Sequence, residues 1–264
     1  MSDLTVLDQA HAAMQKAPHD DTARLRFYER LSECQLYLML TEEAGEDDQV
    51  TPELFEVDGA RYVLVFDREE RLARFAGKPT PYVALSGRVI AGMLARQGIG
   101  LGLNLEVAPS SILLPEAAVT WLHDTLGNQP DEVQAAISEL HPPAGLPEHL
   151  VTAIDGKLAT AMGLAQSAYL VRVTYDSGAH GHLLGFVGAV PEAEPALARA
   201  IAEALTFSGI EAGALDVGFF RSGDAMTQRM DAVGLRFDLP QLQEQALKPL
   251  SAPGSDPAKP PRLR

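Results

Sequence analysis

Residues 54–66 read Leu54-Phe55-Glu56-Val57-Asp58-Gly59-Ala60-Arg61-Tyr62-Val63-Leu64-Val65-Phe66, and this stretch decides the fold class. Asp58-Gly59 accepts the positive φ of a tight turn. The runs on either side are rich in β-branched and aromatic residues, so the spacing predicts a β-hairpin. Upstream, Leu4 to Ala17 and Asp21 to Cys34 read as helices broken at Pro18, followed by a short strand from Gln35 to Leu40. Downstream, Asp67 is expected to cap a helix from Arg68 to Phe75, and Pro81 to Leu85 reads as a strand. Ser86 starts a helix to Arg96, Ile99 to Leu105 is a glycine-interrupted strand, and Pro115 opens a helix carrying Ala118, Trp121, Leu122 and Leu126. Helices alternating with strands, one pair of them a hairpin, predict an α/β (α+β) domain with a mixed sheet over residues 1–127.

Gly127-Asn128-Gln129-Pro130 marks a boundary short enough to keep two domains in contact. The second domain, 131–240, has a cleaner rhythm. Glu132 to Leu140 reads as a strand and Pro147 to Met162 as a helix. Tyr169, Val171, Val173 and Tyr175 alternate with Leu170, Arg172 and Thr174, as in a half-buried strand. Leu183 to Val190 is apolar or glycine throughout. Pro191 and Glu192 open a helix with Leu197, Ile201, Ala204 and Leu205 on one face, and Leu215 to Phe220 closes the pattern before a short helix from Asp224 to Ala232. The order β-α-β-β-α-β predicts a ferredoxin-like sandwich with its helices on one sheet face. Residues 251–264, rich in Pro, Ser and Gly, read as a disordered tail.

Acidic residues outnumber basic ones 36 to 21 in a chain of 264, a formal net charge of -15. Such a surface repels phosphate backbones and anionic lipid, so nucleic acid and membrane are not expected partners. The single cysteine, Cys34, cannot form an internal disulfide and suits a reducing compartment. Met1-Ser2-Asp3-Leu4-Thr5 lacks the basic start of a signal peptide, and no apolar run approaches the roughly 20 residues of a membrane span. A cytoplasmic location is expected.

Candidate chemistry is sparse. His180-Gly181-His182 could offer two metal ligands with His141 as a third, but a ferredoxin-like order would hold His141 more than about 20 Å from His182. No metal and no cofactor are expected. Ala84-Leu85-Ser86-Gly87-Arg88 is not a nucleophile elbow, because it lacks the flanking glycines. Ser86 reads instead as a helix N-cap, and the free N–H groups there, with Arg88 in the first turn, could hold an anion. Gly98-Ile99-Gly100-Leu101-Gly102 lies within a strand rather than at a strand-to-helix turn. It is expected to admit a close backbone or helix, not a dinucleotide. Glu42-Glu43-Ala44-Gly45-Glu46-Asp47-Asp48 reads as a solvated loop. No catalytic residue is assigned.

Several of these segments together resemble the bacterial enhanced serine sensitivity family, SseB. They are Arg61-Tyr62-Val63-Leu64-Val65-Phe66, the helix with Glu69, Glu70, Arg71 and Leu72, Leu85-Ser86-Gly87-Arg88, Gly98 through Asn104, and Leu114-Pro115-Glu116. Residues 4 to 126 look like the family's N-terminal domain. The later half is similar to its C-terminal domain in element order and in Leu183-Leu184-Gly185-Phe186, and Leu105-Glu106 follows Asn104 where the family often has Pro-Gly. The resemblance implies no established activity, cofactor or catalytic residue. The expected function is a non-catalytic binding or regulatory module that presents a sheet face or interdomain groove to another protein or a small metabolite such as an amino acid. Arg61, Tyr62, Ser86, Arg88 and Asn104 are the candidate ligand-binding residues. The alternatives are an enzyme without a linear motif, a transferase or hydrolase, and a protein-assembly adaptor.

Overall fold

The computed structural model describes residues 4–43, 50–128, 136–210 and 215–241. The tail 251–264, most of the acidic loop and the end of the boundary segment lie outside these residues. The chain opens with α1 (Val6–Lys16) and α2 (Asp21–Glu33). A capping box starts α1: the Thr5 hydroxyl accepts from the Asp8 N–H, and the Asp8 carboxylate accepts from the Thr5 N–H. Asp20 starts α2 by accepting from the Thr22 N–H.

The first sheet contains β1 (Gln35–Met39), β2 (Leu54–Val57), β3 (Ala60–Phe66), β4 (Tyr82–Ser86), β5 (Ile99–Leu103) and β6 (Ile112–Leu114), with α3 (Glu69–Ala76), α4 (Gly87–Leu94) and α5 (Glu116–Gly127) between and after them. Its order is β4-β1-β3-β5-β6, and β2 pairs with β3. Only β3 and β5 run parallel, so the sheet is mixed. The hairpin turns at Asp58 and Gly59, with φ of 52° and 79°, and closes on Val57 opposite Ala60. Val63 and Val65 point into one core beneath α1, α2, α4 and α5, while Leu64 and Phe66 point into a second beneath α3, the period-two alternation of a covered strand.

Asp67 does not cap α3. Arg68 holds the N-cap position with no side chain capping the helix, because the Asp67 carboxylate is engaged by Arg71 one turn on. The alternating glycines of β5 do serve close approach, chiefly to side chains. A Cβ on Gly100 would lie 2.5 Å from the Tyr62 ring and 2.6 Å from the Leu114 carbonyl, and one on Gly102 2.6 Å from Leu64. The three-residue β6 has too little pattern to be read from sequence.

The second sheet contains β7 (Ile137–His141), β8 (Ser167–Tyr175), β9 (His180–Val187), β10 (Asp216–Phe220) and β11 (Leu235–Asp238). Helices α6 (Glu148–Thr160), α7 (Glu194–Phe207) and α8 (Ala225–Val233) accompany it. Element order follows expectation, but strand order does not. The sheet runs β10-β9-β8-β11, with β7 also on β8. In a ferredoxin-like sheet β7 and β9 would be parallel neighbours. Here β8 lies between them, antiparallel to both, and only β9 and β10 are parallel. The edge of β8 is shared: β7 takes residues 172–175 and β11 takes 167–170.

Nor are the helices confined to one face. Leu170, Leu184 and Phe186 pack beneath α6 and α7, whereas Tyr169, Val171 and Val173 pack beneath Met230 of α8. The strand read as half-buried is therefore covered on both sides. Gly185 admits α8, since a Cβ there would meet the Met230 sulfur at 2.5 Å.

The halves meet through α7. Phe207, its last residue, is buried within the core of the first sheet, and the following turn brings Gly209 against Leu25 and Thr22 of α2. The start of α4 is pressed onto α2 from the other side. A Cβ on Gly87 would sit 1.9 Å from the Leu31 carbonyl oxygen, an obstacle made of backbone. Gly87→Ala is expected to destabilise the fold by about 3 kcal/mol, the upper end of overpacking costs, because a helix must move to admit the methyl. Equilibrium urea unfolding measures the loss. A midpoint unchanged from that of the parent would mean that α4 does not approach α2 so closely.

Candidate functional site

The five residues singled out in the sequence do not converge. Ser86 caps α4, its hydroxyl accepting from the Val89 N–H at 3.4 Å, and Arg88 lies in the first turn of that helix. Arg61 is exposed at the other end of α4, where its guanidinium reaches the Gln97 carbonyl at 3.4 Å. Tyr62 beside it lays its ring across Gly100. Asn104 is fully buried past the end of β5 with φ 48°. Its side-chain oxygen accepts from the Asp67 N–H at 3.1 Å, and its amide donates to Ser110 Oγ at 2.8 Å. Ser86 and Arg88 share one end of α4, Arg61 and Tyr62 adjoin in β3, and Asn104 stands apart in the interior.

Asn104 belongs to a buried polar cluster that ties α1, α3 and the loop after β5 together. Arg71 donates to both oxygens of Asp8 at 3.1 and 2.5 Å and to Asp67 at 2.9 Å. Ser110 Oγ donates to Asp8 at 2.6 Å, and the Thr5 hydroxyl to Asp67 at 2.6 Å. Burial alone would raise the Asp8 carboxyl; the hydrogen bonds from Arg71, Ser110 and Thr5 outweigh it and hold the group well below the usual carboxylate range. The neighbouring His11 is pushed down chiefly by burial, which favours neutral imidazole. Asp8, Ser110 and a histidine close in space have the composition of a nucleophile and its base. The Ser110 hydroxyl, however, is fully buried and donates to a carboxylate that an arginine already grips. This cluster welds elements together.

A second cluster spans the two halves. Arg88 donates to both carboxylate oxygens of Glu203 on α7, at 2.8 and 2.9 Å. Lys157 of α6 reaches Glu203 at 3.4 Å and Glu33 of α2 at 2.6 Å, with Glu29 farther off at 3.9 Å. Burial raises the Glu203 carboxyl, and Arg88 and then Lys157 overcome that and lower it below its ordinary value. Arg88 does hold a carboxylate at the start of a helix, and that carboxylate is supplied by the chain itself. Neither Glu203 nor Lys157 carries a sequence signal, because each is a lone charge in an otherwise ordinary helix.

Between α2 and α6 lies a groove floored by Phe207 and Ser208. Its inner part, about 40 Å³, is lined by Glu29, Arg30 and Ala153. It opens past Arg26, His149 and Thr152 into a wider depression of about 380 Å³. His149 Nε2 pairs with the Ser208 carbonyl at 3.1 Å, which fixes the ring in the wall. Lys157 of α6, bonded to Glu33 of α2, bridges the same two helices.

The histidine trio is placed differently from the sequence expectation. His141 and His182 are both in register with Arg172, on opposite sides of β8, so they lie two strand spacings apart, roughly 10 Å. The larger separation expected from a ferredoxin-like order is incorrect. His182 pairs with the Ala144 carbonyl, His180 with Thr174 and His141 with Glu139. Among the described residues no group of three or more His, Cys, Asp or Glu is arranged to hold a metal ion, and no helix is long and apolar enough to cross a membrane. Cys34 at the end of α2 has its thiol pushed up to about 11, mainly by burial.

Residues 7–121 match the family model described as the SseB protein N-terminal domain. No curated protein and no solved structure matches the chain.

The buried charges set how stability responds to pH and to substitution. Because the folded Asp8 carboxyl lies below its ordinary value of 3.8, its stabilisation is complete above that pH and is lost as the pH falls further. Asp8→Asn should therefore cost most at neutral pH, and the gap from the parent should narrow below about pH 4 in urea titrations; a gap independent of pH would contradict the ion pair. A double-mutant cycle on Arg88→Ala and Glu203→Gln should give a coupling of about 1 kcal/mol. That modest size is set by the half-exposed guanidinium, and additive losses would show that the pair contributes nothing.

Proposed function

We propose that the chain is an SseB-like protein with SseB-like domains over 1–127 and 131–240, acting in the cytoplasm as a non-catalytic binding or regulatory module. Its ligand is another protein or a small metabolite such as an amino acid. The two-pronged grip of Arg88 on Glu203 carries this reading. A helix start capped by Ser86 and bearing Arg88 has the chemistry of a carboxylate seat, and Lys157 adds a second cation to it. Glu203 fills that seat across the junction, so a carboxylate ligand arriving there competes with the contact that holds α7 to α4. In this reading Arg61, Tyr62 and Asn104 act indirectly, by shaping the sheet on which α4 rests. The groove beside the junction supplies a concavity shared by both halves, a common location for ligand sites.

Support for recognition over reaction comes from how the buried polar groups are used. Asp8, Asp67, Arg71, Asn104 and Ser110 are engaged with one another and packed away from solvent. Calorimetry with a panel of amino acids and organic acids is expected to find at least one saturable ligand, and its affinity should fall on Arg88→Ala. Uniform silence would remove the small-ligand form of the proposal. The protein-partner form predicts capture of basic proteins that weakens as salt rises, given the acidic surface.

A further inference from the structure

We infer that the inner end of the groove between α2 and α6 seats a primary ammonium group on Glu29, in a small ligand whose other end is anionic and meets Arg26. The inference rests on the binding-module reading and names a location and ligand chemistry within it. Within the junction cluster, Glu29 is the member whose charge is left poorly met. Its side chain is 9% exposed, and its nearest cation, Lys157, stands 3.9 Å away, beyond hydrogen-bond reach. Lys157 is drawn instead to Glu33 at 2.6 Å and Glu203 at 3.4 Å. Among the described residues no donor hydrogen-bonds the Glu29 carboxylate; burial raises its pKa and Glu33 adds to the rise, while Lys157 and, more weakly, Arg30 and Arg26 offset only part of the effect.

Glu29 lines a cavity of about 40 Å³. A water-sized group needs roughly 10–15 Å³ of such space, so an ammonium fits. An ammonium also offers three donors to an acceptor that has none. Arg26 lies one turn earlier on the same helix face, exposed, and shared between the inner cavity and the wider depression. Residues three apart on a helix stand roughly 5–6 Å from each other, so the ligand that bridges them is short. The guanidinium supplies paired donors suited to a carboxylate.

The test uses the full chain and three probes: β-alanine, which carries both charges, and ethylammonium and propionate, which carry one each. Calorimetry should show β-alanine bound at least tenfold more tightly than either half-probe. Glu29→Gln and Arg26→Gln should each weaken it tenfold or more, and Arg96→Gln, on another face, should leave it unchanged. Glu29→Gln removes a poorly met buried charge, so its melting temperature should match or exceed that of the parent, which separates lost binding from lost folding. Binding of β-alanine unaffected by Glu29→Gln and Arg26→Gln would overturn the inference while leaving the binding-module reading in place. Silence of all three probes would also overturn it, and that reading would then stand or fall on the wider panel.

Discussion

The last two turns of α7 serve both halves of the molecule at once, and the junction depends on them. On one side Ile201, Ala204 and Leu205 pack into the core of the second sheet; at the end Phe207 is buried in the core of the first. A helix anchored at both faces cannot be displaced without opening apolar surface in two places. Full burial of one such large side chain contributes about 1.5–3 kcal/mol. Glu203 is carried on this rigid segment, which is why it can meet Arg88 in a two-pronged geometry. The ion pair orients a contact that hydrophobic burial secures.

Gly87 imposes the matching constraint from the other side. With no Cβ, the start of α4 settles onto the Leu31 carbonyl of α2, and Arg88 is aimed away from the sheet toward α7. Three consecutive residues thus build the contact together. Ser86 caps the helix, Gly87 permits the approach, and Arg88 reaches across. The groove is a by-product of the same packing. Both α2 and α6 rest on α7 without closing on each other, and Lys157 bridges them at one end.

The two buried polar clusters differ in how completely charge is met. Around Asp8, the carboxylate has Arg71, Ser110 and the Thr5 N–H as donors, so ionisation is favoured despite burial. Around Glu29 the balance tips the other way, because the nearby ammonium of Lys157 has two better partners. Desolvation acts on both groups; the count of donors within reach decides the outcome. Donor counts of this kind depend on three-dimensional neighbours and cannot be read along the chain.

Much of the fold is nonetheless legible along the chain. The Asp58-Gly59 hairpin, the Ser86 cap, the helices from 21 to 33 and 194 to 207, and the mixed character of the first sheet all follow from turn chemistry and periodicity, which are properties of neighbouring residues. The Thr5-to-Asp8 spacing is a further local capping signal, absent from the sequence expectations, and β6 and β11 are too short to announce themselves. Strand order in the second half is beyond the reach of local patterns. The sequence β-α-β-β-α-β is compatible with β7 beside either β8 or β9, and the choice is made by a late strand, β11, sharing the edge of β8, and by α8 covering the face expected to be bare. Site geometry is equally a tertiary outcome: Arg88 and Glu203 stand 115 residues apart in the chain, and no local pattern pairs them. Local chemistry determined which segments are helix, strand and turn. Only packing between distant segments decided which strands adjoin and which charges meet, because those energies arise from contacts between residues far apart in the chain.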